Sequence, residues 1–248
     1  MGDDLKAALF NPVQFASITA KNRVVMAPMV TNFASYTDEV TDRQVAYYAE
    51  RARGGVGTIV VEAAPISSRG RISYCQIGSY DDRFIAGLTR LAGAIQDAGA
   101  IALLQLCHGG PKALTPTGMR TESVSPVAVR EGDVPRALTA AELRDVRRQF
   151  ITAARRAQKA GFDGIELHAA HFYLLSASLS PYTNRRTDEY GCSVVNRTRL
   201  TREVIEDIKS TLSLDYPIWI RIHACEALDP GLSLAEGRQI ASTLAAAG

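Results

Sequence analysis

Between Phe162 and Tyr190 the sequence runs FDGIELHAAHFYLLSASLSPYTNRRTDEY. Ile165 and Leu167 flank Glu166 in the alternation of a strand, and His168, His171 and Tyr173 follow at or just past its end. Ligands gather beyond the carboxyl ends of parallel strands, so a strand here delivers three polar side chains to a ligand-facing rim. If the chain turns helical after the strand, residues 168 and 171 share a face. Imidazoles donate hydrogen bonds to an electron-rich group, and a phenol of pKa about 10 is a neutral proton carrier at pH 7. The same residues also read as semi-buried polar groups satisfied by nearby carbonyls. No metal is expected: the cluster offers only two ligands, the chain has 4 His in all, and no third ligand has diagnostic spacing.

Working outward, apolar runs alternate with amphipathic ones. Val24–Met29 reads as a strand stopped at Pro28, Val56–Val61 as a second with Glu62 and Ala63 beyond it, and Ile101–Leu106 as a third. The strand at Ile165 is the fourth, and Pro217–Ile222, carrying Trp219 and Arg221, the fifth. Helices are expected over Thr41–Arg53, from Asp82 as cap to Ala98, and from Val195 to Leu212. Two more start at capping boxes, Thr139 with Glu142 and Ser233 with Glu236, and run to Ala160 and Ala247. A long loop, Pro111 to Leu138, is rich in Pro, Thr and Gly and reads as a lid or binding loop. A polar loop is expected over Ser176–Tyr190.

Strands apolar on both faces, alternating with helices, indicate α/β architecture with a parallel sheet; an open doubly wound sheet and a (β/α)8 barrel both fit. No dinucleotide fingerprint is present, since Gly54-Gly55-Val56-Gly57 precedes a strand instead of following one. The strand ends would bring Pro28, Met29, Glu62, Ala63, Gln105, His108, the His168 cluster, Arg221 and His223 to one rim. Gln105 offers an amide donor and acceptor, and Arg221 a permanent charge, which suits a planar heterocycle that becomes anionic on reduction. Alternatively Gln105 satisfies backbone groups, Met29 is core packing, and Arg221 pairs with Glu62 or Glu166.

The 248 residues carry 28 Lys and Arg against 26 Asp and Glu, a net charge of +2 that implies no polyanionic partner. Arg144, Arg147, Arg148, Arg155 and Arg156 recur at helical spacing and read as a solvated face, not a nucleic-acid surface. Four dispersed cysteines without a CxxC pair suggest reduced thiols and a cytoplasmic location. The start, MGDDLKAALFNP, lacks the pattern of a cleaved signal, and Lys6 does not suit myristoylation; no apolar run of about 18 residues suggests a membrane span.

NRVVMAPMVTNFA (Asn22–Ala34), YYAERARGGVGTIVVEAA (Tyr47–Ala64) and IELHAAHFYLLSASLSPYTNRRTDEYG (Ile165–Gly191) together resemble the old yellow enzyme family of FMN-dependent ene-reductases. Within it the nearest likeness is to the branch of 2-enoate and 2,4-dienoyl-CoA reductases. The resemblance covers nearly the whole chain. It implies that Ala27, Pro28, Met29, Ala63 and Gln105 line the flavin, with Arg221 at its pyrimidine edge. It makes His168 and His171 the pair that binds the substrate's carbonyl oxygen, and Tyr173 the proton donor. The implied activity is reduction of the C=C bond of α,β-unsaturated carbonyl compounds with NADH or NADPH. An amine dehydrogenase or NADH oxidase type of flavin barrel, or a non-catalytic barrel fragment, is the alternative.

Val30 stands where many relatives carry Thr or Cys, Pro111 where Arg is common, and Cys192 at a usual Gly position. The resemblance further implies a (β/α)8 TIM barrel truncated after about five βα units, with residues 1–248 as the N-terminal part of one FMN-binding domain. Its partner is a small-molecule substrate; homo-oligomerisation is left open, and an iron–sulfur cluster is implied only for a longer parent chain.

Overall fold

The computed structural model describes residues 8–115 and 118–248. The expectations for Met1–Lys6 lie outside those residues, as do Pro116 and Thr117 of the long loop. An antiparallel ribbon, β1 (Val13–Phe15) and β2 (Ile18–Ala20), comes first, and the Phe15 ring packs on Trp219 with centroids 4.9 Å apart. The main sheet has five parallel strands: β3 (Val25–Met26), β4 (Thr58–Pro65), β5 (Ile101–Cys107), β8 (Gly164–Ala169) and β9 (Ile218–Ile222), in spatial order β3-β4-β5-β8-β9. The short β6 (Glu122–Ser123) and β7 (Arg136–Ala137) pair with each other inside the long loop.

Helices α1 (Asp42–Arg53), α2 (Ile85–Asp97), α3 (Ala140–Lys159), α5 (Val194–Thr211) and α6 (Leu234–Ala245) cover one face of the curled sheet; α4 (Leu174–Leu179) is a short insertion after β8. Every second strand residue faces the helices. Ile59, Val61, Leu104, Leu106, Ile165 and Leu167 join Tyr48, Leu88, Leu91, Phe150, Val204 and Ile240 in one core. Phe150 and Leu91 are fully buried, and each side chain so removed from water contributes about 1.5–3 kcal/mol. The opposite face carries Gln105, Glu166, His168 and Arg221.

Both expected capping boxes form. Thr139 Oγ1 accepts Glu142 N–H at 3.2 Å while Glu142 Oε2 accepts Thr139 N–H at 2.8 Å, and Ser233 with Glu236 repeats the pattern. Such caps contribute about 1 kcal/mol each. Other boundaries differ. The first strand shrinks to Val25–Met26, because an edge strand has one neighbour and Pro28 has no N–H to pair. β4 runs past Val61 to Pro65, so Glu62 and Ala63 lie within it. Asp81, not Asp82, caps the turn before α2, accepting Arg83 N–H at 2.9 Å; Asp82 pairs with Arg156 at 2.7 Å. The polar loop from Ser176 begins inside α4.

Three of the five arginines of the α3 stripe are tied to carboxylates: Arg147 pairs with Glu203 and Asp207, Arg148 with Asp145, and Arg156 with Asp82. Among the described residues, no helix is long and apolar enough to cross a membrane.

Candidate active site

β5, β8 and β9 set their polar residues in register. Gln105 lies opposite Glu166, Glu166 opposite Trp219, and His168 opposite Arg221. Gln105 Nε2 donates to Glu166 Oε1 at 2.6 Å, so the amide is paired with a side chain and not with backbone groups. Burial raises the Glu166 carboxyl above the usual range, against the pull of Gln105 and the Arg221 charge. Arg221 makes no ion pair within 4 Å to any carboxylate among the described residues, so neither pairing with Glu62 nor with Glu166 is made. It stands as an uncommitted cation at the end of β9.

His168, still within β8, and His171 and Tyr173 just after it converge by a different route from the helical turn the spacing suggests. His171 and Phe172 both adopt left-handed backbone, at φ 60° and 58°, and the helix begins only at Leu174 with Tyr173 as its N-cap. The double turn folds the chain back on itself. His168 and His171 rings lie 5.0 Å apart between centroids, and Tyr173 packs edge-on against His168 at 4.8 Å and His171 at 6.2 Å.

Each of the three is neutral at pH 7. Burial pushes His168 down to about 3, with the neighbouring His171, Arg221 and His223 adding to the effect. His171 is lowered by burial and then by Arg221 and His223, while burial raises the Tyr173 phenol. Ala170 N–H points at His168 Nδ1 at 3.4 Å, which assigns that ring's proton to Nε2, 3.2 Å from His171 Nδ1. His168 Nε2–H therefore donates to His171 Nδ1, and His171 carries its own proton on Nε2, the N–H that this neutral pair leaves free.

Ala27, Pro28 and Met29 follow β3; Pro28 is buried, Ala27 exposed, and Met29 is 66% exposed, which is not the environment of a core methionine. Their loop is fastened to β4, since Glu62 Oε2 accepts from Thr31 N–H at 2.9 Å and Thr31 Oγ1 at 2.6 Å. β4 has a register shift between Val61 and Ala64, and Glu62 N–H donates to the Tyr48 hydroxyl at 3.0 Å. Alternation from Ala64, which packs in the helix-side core, turns buried Ala63 to the other face.

Thr31 and Glu226, which joins His223 beside the His171 turn, carry no motif of their own, and Tyr48 reads from the sequence only as an apolar position of its helix. Only His223 left a signal, as a polar residue just past a strand end. A groove of about 390 Å³ adjoins this turn, lined by Arg130, Phe172, Tyr182 and Leu228 among others. Among the described residues no cluster of three or more His, Cys, Asp or Glu is placed to hold a metal.

The model of the NADH:flavin oxidoreductase / NADH oxidase family matches residues 8–248. The chain belongs to that family.

The NADH oxidase of Thermoanaerobacter brockii is 41% identical over 97% of this chain, which spans 38% of that protein. The NADPH dehydrogenase of Bacillus subtilis is 37% identical over 92% of this chain and 67% of its own length. An old yellow enzyme homologue from Zymomonas mobilis superposes with a TM-score of 0.83 at 31% identity, covering 97% of this chain and 70% of that one. The resemblance to the old yellow enzymes, read from three motifs, thus holds along the chain. The family works with a flavin and a reduced nicotinamide, and its members are oxidoreductases.

Proposed function

We propose that residues 1–248 are the N-terminal part of a single FMN-binding (β/α)8 barrel domain that reduces the C=C bond of α,β-unsaturated carbonyl compounds. The observation that carries this reading is the meeting of two neutral imidazoles and a neutral phenol beside the uncommitted Arg221 guanidinium. The residues fit a flavin. Gln105, its nitrogen committed to Glu166, has its amide oxygen left to accept from an imide N–H, and Arg221 supplies positive charge for an anionic ring edge. Ala27, Pro28, Met29 and Ala63 offer small or apolar surface to a planar ring.

Held there, FMN reduced by NADH or NADPH would supply the hydride for the β-carbon of the substrate. His171 donates its Nε2–H to the carbonyl oxygen, His168 donates its own N–H there as that oxygen replaces His171 Nδ1 as its partner, and both draw off charge as enolate character develops, which favours the transition state over the ground state. Tyr173 delivers the proton to the α-carbon, and its raised pKa keeps that proton in place through neutral pH. Hydride and proton together saturate the double bond.

The test uses the flavin-loaded, full-length protein, reduced anaerobically with NADPH and mixed with an enone, an enoyl thioester or a secondary amine. Rapid return of the oxidised-flavin absorbance with an activated alkene is expected. Indifference to every alkene would end this reading.

A further inference from the structure

His223 has no part in the scheme above, yet three contacts converge on it. It lies just past β9, two residues after Arg221. Its Nε2 accepts the backbone N–H of His171 at 2.9 Å, and its Nδ1 is 3.5 Å from Glu226 Oε1. Glu226 is itself clamped: Oε2 accepts from Ser180 Oγ at 2.7 Å and from Leu232 N–H at 3.0 Å, and the side chain is only 4% exposed. Burial favours the neutral acid here, but donors from His223, Ser180 and Leu232 outweigh it and hold the carboxyl below its ordinary range.

The turn beside it needs such a hold. Two consecutive non-glycine residues in the left-handed region persist only where the surroundings over-determine them. Phe172 N–H donates to Ser176 Oγ and Tyr173 N–H to Ala170 O, both at 3.2 Å and both within the local segment. Of the three turn amides only that of His171 is held from a distant segment, just past β9; beyond the turn, Leu174 N–H donates to His108 O at 2.9 Å. The His223 ring also packs edge-on against Phe172 at 5.5 Å and His171 at 5.9 Å.

We propose that His223, oriented by Glu226, is a positioning residue for the reaction: by accepting the His171 amide it holds the left-handed turn that sets His171 and Tyr173 beside His168. This rests on the reading of those two side chains as donors to the substrate. The role requires a neutral ring protonated on Nδ1, since only then does Nε2 keep its lone pair, and a carboxylate beside Nδ1 selects that tautomer.

Two measurements on the flavin-loaded, full-length protein test it. With histidine ¹⁵N labelling, NMR should show His223 protonated at Nδ1 and bare at Nε2, with the His171 amide proton shifted downfield; a proton on Nε2 overturns the proposal. Separately, 4-hydroxybenzaldehyde is titrated while its charge-transfer band with the flavin is followed. His223→Leu should weaken binding about tenfold, the loss of roughly one buried hydrogen bond, at unchanged flavin content. His223→Gln, whose amide oxygen reaches the same N–H, should recover most of it. Equal binding by the parent and His223→Leu, or equal impairment of the Leu and Gln variants, rejects the role. If the parent itself gives no band, the donor-pair reading has failed, and the tautomer still decides whether His223 holds the turn.

Discussion

Gln105 and Glu166 sit opposite one another on adjacent parallel strands, joined by a 2.6 Å hydrogen bond from the amide nitrogen to Oε1. A carboxylate accepts but does not donate, so the bond fixes which way the Gln105 amide points. Glu166→Gln preserves shape but removes that instruction. We expect the dissociation constant for FMN to rise about tenfold, as for loss of one well-placed hydrogen bond, read by flavin fluorescence titration. An unaltered constant would mean the orientation of Gln105 is immaterial to the cofactor.

Tyr173→Phe keeps the ring against His168 and removes only the hydroxyl. Loss of a general acid costs about 100-fold or more in the step it serves. Stopped-flow traces should therefore show reoxidation by an enone slowed by about that factor, with reduction by NADPH nearly unchanged. Equal slowing of both halves would remove the phenol from proton delivery.

Tyr48 is fully buried, and its hydroxyl accepts Glu62 N–H at 3.0 Å and donates to Glu62 Oε2 at 3.3 Å. Tyr48→Phe strands a buried amide and one carboxylate contact. The expected loss is about 1–3 kcal/mol, seen as a lower urea midpoint at constant m-value. A midpoint within error of the parent would show that the pair is dispensable to stability.

His108 is 4% exposed, and burial pushes its pKa down to about 4, with Arg69 adding and Glu122 opposing. The unfolded chain takes up a proton on this ring below about pH 6.5, whereas the folded protein resists until about pH 4. Stability carried by the neutral ring is thus lost as pH falls through that window. Relative to His108→Gln at equal flavin saturation, the parent should lose at most about 1.4 kcal/mol per pH unit between those limits. Parallel stability curves for parent and variant would contradict the buried neutral state.

The elements most legible in the sequence are those whose cause is local. Thr139-x-x-Glu142 and Ser233-x-x-Glu236 specify their helix starts within four residues, and both caps form as read. Strand alternation likewise put Gln105, His168 and Arg221 on the face opposite the helices, but not Glu62, which was expected with them and instead braces the loop after β3. The approach of His168, His171 and Tyr173 was legible, but its mechanism was not. No local pattern marks His171 and Phe172 as left-handed, because a partner 52 residues away, His223, supplies one of the contacts there. Glu62 was hidden for a related reason: its partners, Thr31 and Tyr48, come from a loop and a helix.

The single extra residue in β4 has an outcome larger than its size. Up to Val61 the strand counts in one phase against β5, and from Ala64 in the other. With that phase change the Ala63 methyl turns to the face opposite the helices while the Glu62 carboxylate is led away to brace the loop after β3. Without the extra residue a single position would lie between Val61 and Ala64, and the sheet-face methyl and the loop-bracing carboxylate could not both be kept.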